Sequence, residues 1–145
     1  MVDTDRLKLI FHGAIVLLVG LLSGLPTAVE AIDESARFWH TAHEALIMMG
    51  VWMLAASSVR SALVLDKREA AVLLWSFLAM GYGFMIALVL GGVLGVSPFA
   101  PGGTPATFIA FLSAVVGILG AFVATAVTLI GVRGARDSRV AGPAT

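Results

Sequence analysis

The chain has 145 residues, of which 59% are hydrophobic and only 12% charged, with a mean hydropathy of +1.01 and a formal net charge of zero. So little polar surface cannot cover a soluble globule of this size, and the composition marks an integral membrane protein with no basic excess for nucleic acid. Cysteine, asparagine and glutamine are all absent, which excludes disulfides, thiolate metal sites and cysteine nucleophiles.

A membrane-crossing helix needs about 20 mostly apolar residues. Four windows meet this: roughly 9–29, 42–65, 70–96 and 105–132. The fold class they predict is all-α, a four-transmembrane-helix bundle forming one membrane domain over residues 1–134, with a polar cytoplasmic tail at 135–145 that should fray. The first window opens RLKLIFHG; it is too long for an ordinary signal peptide and lacks a small-residue cleavage pattern, so it is expected to be retained. The turn LDKRE at 65–69 is short, which makes the second and third helices an antiparallel hairpin. The two remaining connections are the acidic and aromatic 30–41 and the uncharged VSPFAPGGTP at 96–105.

Arg6 and Lys8 precede the first window, Arg60, Lys67 and Arg68 lie at the second turn, and Arg133, Arg136 and Arg139 follow the fourth window. The positive-inside rule then puts both termini in the cytoplasm, in a multi-pass protein of the cell inner membrane. Glycines recur at 13, 20 and 24, through Gly81–Gly92, and at 117 and 120. Such spacing lets helix backbones approach closely in lipid, and packing is its ordinary purpose. A bundle this small buries little within one chain, so lateral association is expected.

The stretch FWHTAHEALIMMG, 38–50, opens the second window and carries His40, His43 and Glu44 at i, i+3 and i+4, one helical face. Three readings stand. The set is an interfacial aromatic and polar belt; or it is a divalent-metal site of two histidines and a carboxylate, although H-x-x-H-E is not the protease order H-E-x-x-H; or one imidazole is an axial haem ligand. For the last, Leu46, Ile47 and Gly50 at i+3, i+4 and i+7 from His43, with Met48 and Met49, make an apolar wall, and Gly50 would let a flat macrocycle lie close. His12 enters near the opposite end of its helix. At about 1.5 Å rise per residue it should lie roughly 25–30 Å in depth from His43, too far to share a metal.

FHGAIVLLVGLLSGL in the first window and ARFWHTAHEALIMMG at the entry to the second resemble the styrene oxide isomerases, small four-helix membrane proteins of bacterial styrene degradation. The resemblance covers essentially the whole chain in length, helix count and loop pattern. It implies a homotrimer with haem b held between neighbouring subunits. Ala42-His43 matches the family's ligand pair, making His43 the iron ligand, and His12-Gly13 matches the pair in the first helix. The implied activity turns a small hydrophobic epoxide into an aldehyde with no net redox, ferric iron acting as a Lewis acid.

Two departures stand out. The family asparagine six residues after the ligand, which helps hold the substrate oxygen, is Met49 here. The family tyrosine of the third helix is matched only by Tyr82, displaced by one position, and no intramembrane aspartate accompanies it. Tyr82 is thus the candidate catalytic group, with His12 a candidate partner for a propionate or carboxylate. The alternative is a haem-binding membrane protein without isomerase activity: a carrier, a sensor or an electron-transfer protein. A proton-coupled transporter would want a membrane-embedded acid, and Glu30 and Glu44 both fall near helix ends.

Overall fold

The computed structural model of the chain describes residues 4–29 and 34–140. It is helical throughout: α1 (Thr4–Leu22), α2 (Gly24–Val29), α3 (Glu34–Val59), a 3₁₀ turn at Arg60–Ala62, α4 (Lys67–Leu94) and α5 (Pro105–Val140). α1 and α2 are two parts of one span, so four helical segments are long and apolar enough to cross a membrane: Thr4–Thr27, Ala36–Ala62, Lys67–Leu94 and Pro105–Arg136.

The helices outrun their apolar windows. α1 starts at Thr4 rather than near 9, α3 at Glu34 rather than 42, and α5 continues through Val140, past the point where fraying was expected at 135. Hydropathy senses what prefers lipid, whereas a helix is a hydrogen-bond ladder that polar flanks extend readily. Asp5 sits in the first turn of α1, where a carboxylate is favoured, 3.7 Å from Lys8. The connection expected at 30–41 therefore shrinks, since 34–41 are helical; residues 30–33 and 141–145 lie outside the described residues.

The ends are set by local chemistry. α4 begins with a capping box: the Glu69 backbone N–H donates to Asp66 Oδ1 at 2.7 Å and the Asp66 N–H to Glu69 Oε2 at 2.9 Å. It stops at Gly95, whose φ of 62° is the left-handed conformation that closes a helix, with the Val96 N–H returning to the Gly91 carbonyl at 3.1 Å.

α1 packs along α3, α4 along α5, and the two pairs join chiefly through α3 against α4, with a smaller α1–α4 seam. α5 therefore rides on α4, touching beyond it the 63–65 turn, where the Val64 N–H donates to the Gly131 carbonyl at 3.2 Å. A core of Leu9, Val16, Leu46, Met53, Leu73, Phe77 and Met80 fills the junction of α1, α3 and α4. Both pairs are zipped by glycine. A Cβ on Gly20 would lie 2.7 Å from the Ile47 backbone nitrogen, and one on Gly50 2.7 Å from the Leu17 backbone nitrogen. In the other pair, a Cβ on Gly120 would stand 2.6 Å from the Met80 nitrogen.

Backbone atoms cannot retreat as a side-chain tip can. Gly120→Leu is therefore expected to destabilise the α4–α5 pair by about 1–3 kcal/mol, the usual cost of overpacking. Gly103→Ala, where nothing lies within 4 Å, should leave the thermal midpoint in detergent unchanged. Equal midpoints for parent and Gly120→Leu would show that the α4–α5 contact is looser than described.

Candidate functional site

The sequence SGLP at 23–26 breaks the first span. Ser23 leaves the helix, its N–H and its Oγ both bonding the Val19 carbonyl at 2.9 and 2.8 Å, and Pro26 has no N–H to offer. Thr27 Oγ1 turns back to the Gly24 carbonyl at 2.6 Å. At this break the Gly20 carbonyl falls outside the helical ladder and accepts a hydrogen bond from another helix. His43 Nδ1 donates to it at 2.8 Å.

A carbonyl only accepts, so the bond puts the imidazole proton on Nδ1 and, in the neutral ring, the lone pair on Nε2. The ring lies tight against the break: a Cβ on Gly24 would sit 2.7 Å from His43 Nδ1 and 2.8 Å from Cε1. Among the described residues Nε2 has no protein partner. His43, Glu44, Ile47, Met48 and Val51 line a groove of about 570 Å³ on the outer side of α3. It is largely apolar, and Met48 beside it is 71% exposed. An imidazole held by its Nδ1–H, with Nε2 free beside an apolar wall, is the arrangement an axial haem ligand requires. On that observation the residues present fit the group.

The divalent-metal reading fares differently. His40 Nε2 pairs with Glu44 Oε1 at 3.5 Å on the exposed face, while His43 is turned toward α1. Among the described residues no three histidine, cysteine, aspartate or glutamate side chains are grouped to hold a metal. One helical face is too coarse a description: the three residues span about 100° of arc, enough to send one ring to a neighbouring helix and two groups outward.

His12 and Tyr82 meet each other. His12 Nδ1 and the Tyr82 hydroxyl share a hydrogen bond of 2.7 Å across the α1–α4 seam, their rings edge-on at 5.6 Å, with Phe11 edge-on to His12 at 5.3 Å. This corrects the expected depth of His12. α1 starts early and His12 lies opposite the middle of α4, so its depth difference from His43 is roughly 15 Å by helical rise rather than 25–30 Å. The separation still forbids a shared metal.

Gly50 is buried against Leu17 and Met49 packs half-buried against the core, so the groove wall is made by Ile47, Met48 and Val51. Arg60 at the second turn points inward. Its side chain is only 11% exposed, 3.7 Å from Asp5, because the extended start of α1 supplies a carboxylate there. The seam between His12 and Tyr82 and the Gly20–His43 bond were not visible in the sequence as pairings. The SGLP break that frees the carbonyl is a readable turn signal.

No curated protein and no solved structure matches the chain. The family model described as styrene oxide isomerase matches residues 5–133, from the first turn of α1 to near the end of α5. With His43 of α3 held by its Nδ1 and free at Nε2, and four helices apolar enough to cross a membrane, the chain belongs to the styrene oxide isomerase family.

Proposed function

We propose that this protein isomerises a small hydrophobic epoxide, of which styrene oxide is the model, to the aldehyde, using haem b held by His43 in a homotrimer of the cell inner membrane with both termini cytoplasmic. The observation that carries the reading is the His43 Nδ1–H bond to the Gly20 carbonyl, which leaves Nε2 beside an apolar groove. When bound, ferric haem b supplies a Lewis acid for the epoxide oxygen.

The chain's own residues do the rest. His43 would hold the iron through Nε2, and Ile47, Met48 and Val51 would keep water from the reacting carbons. The net change is internal: a C–O bond opens, a hydride moves to the carbon that lost the oxygen, and a C=O bond forms. No atom is exchanged with solvent and no electron leaves, so dryness and orientation are what the protein must provide. Tyr82 is the candidate for orientation, its hydroxyl able to donate to the substrate oxygen while His12 Nδ1–H donates to the phenol oxygen. In its own chain Tyr82 lies outside the His43 groove. A contribution to the same site would therefore have to come from a neighbouring copy, as the family's subunit-bridging haem implies.

A second reading, a haem-binding membrane protein without isomerase activity, is favoured by Met49. It stands where the family carries its substrate-holding asparagine, and it faces the core.

Purified protein should convert styrene oxide to phenylacetaldehyde with no added cofactor; intact epoxide beside a protein with a full Soret band would establish the second reading instead. His43→Ala should lose or shift the Soret band and abolish turnover. Tyr82→Phe should keep the Soret band and lower kcat by about 10- to 100-fold, the equivalent of one hydrogen bond to a developing charge. An unchanged kcat in Tyr82→Phe would remove the phenol from the reaction.

A further inference from the structure

The break in the first span touches His43 in two independent ways, and neither is needed merely to cross a membrane. The first helical ladder closes with the Ser23 N–H on the Val19 carbonyl, and the interruption at Ser23 leaves the Gly20 carbonyl, whose helical donor would be the Gly24 N–H, to His43. Gly24, with no side chain, admits the imidazole to within van der Waals contact of the released backbone. An alanine there would put a carbon 2.7 Å from Nδ1, and its three nearest neighbours are all ring atoms of His43.

From this we infer that Gly24, with the Ser23–Pro26 break, is a positioning device for the haem ligand: it fixes the Nδ1–H tautomer of His43, the direction of Nε2 and the strength with which the ring donates to iron. The inference rests on the haem ligation proposed above. A hydrogen bond from Nδ1–H to a carbonyl draws the proton partly away and makes Nε2 the stronger donor, and removing such an outer partner commonly lowers metal affinity about 10- to 100-fold. Gly20 and Gly24 then belong to the site as much as the ligand does, although neither would touch iron or substrate.

The test uses the full-length protein purified from membranes with ample haem, and compares the parent with His43→Ala, Gly24→Ala and Pro26→Ala, taking Gly103→Ala as control. In the ferrous state the iron–histidine stretching band reports the strength of the bond to Nε2, which a purely structural role would leave unmoved. Gly24→Ala is expected to lower that band's frequency and to weaken haem retention about 10- to 100-fold at unchanged helix content. Pro26→Ala, whose added N–H can pair with the Leu22 carbonyl and let the two helical pieces join, so that the Gly24 N–H competes for the Gly20 carbonyl, should move the band in the same direction and serves if Gly24→Ala fails to assemble.

A parent with no haem, or haem undiminished in His43→Ala, would sink the ligation itself. Haem lost in His43→Ala but an unshifted band and undiminished retention in both Gly24→Ala and Pro26→Ala would overturn the positioning role alone.

Discussion

A backbone carbonyl released from its helix inside a bilayer has no water to turn to, and such an orphan costs several kcal/mol. The Gly20 carbonyl is in that position, and the imidazole of His43 satisfies it at 2.8 Å. The bond fixes more than one carbonyl. It requires α3 to pass α1 at a distance only glycine permits, and Gly20 and Gly50 provide it, each with room for no Cβ against the other helix's backbone. It also requires the first span to break where it does. Helix spacing, helix break and ring orientation are thus one arrangement, and the free Nε2 is its product.

The same scarcity of polar partners sorts the remaining side chains. Most hydroxyls stay at home: Ser57 and Ser58 bond the Leu54 carbonyl, Ser76 that of Val72, Thr125 that of Ala121 and Thr128 that of Ala124. They satisfy their own helices and hold nothing across the bundle. Among the described residues, three side-chain polar contacts within the spans reach another helix visibly: His12 with Tyr82, His43 with Gly20, and Arg60 with Asp5. Two of the three carry a histidine at a seam of α1. The α1 face that looked like simple glycine packing also organises the polar chemistry of the molecule.

Much of this was legible in the residues. Apolar windows gave the number of spans, because lipid selects for hydropathy over a fixed length. His43 could be singled out because an imidazole at the mouth of an apolar helix is costly without a task. The boundaries were less legible: charges at Asp5, Arg6 and Lys8 interrupt hydropathy without interrupting a helix. That error carried His12 too shallow and hid its partner, since a pairing across helices depends on register, which no single helix encodes. Gly50 was read as space for a flat ligand when the nearest claimant is Leu17. A glycine announces a close approach but not of what.

The place of the tyrosine follows from the same steric rule. One position either way from Tyr82 stands a glycine. A Cβ on Gly81 would meet Met53 Sδ at 2.9 Å, and one on Gly83 would meet the Gly117 backbone nitrogen at 2.6 Å. Neither neighbour leaves room for a phenol: α3 closes one side of α4 and α5 the other. Position 82 is the part of that turn that looks toward α1, about 100° around the helix from each glycine. A phenol carried there needs an acceptor or donor in the bilayer, and His12 is within reach at 2.7 Å. The position of the phenol is therefore coupled to the close packing of α4 on both flanks and to a histidine in the first helix. A tyrosine at 81 or 83 would require the bundle to open first.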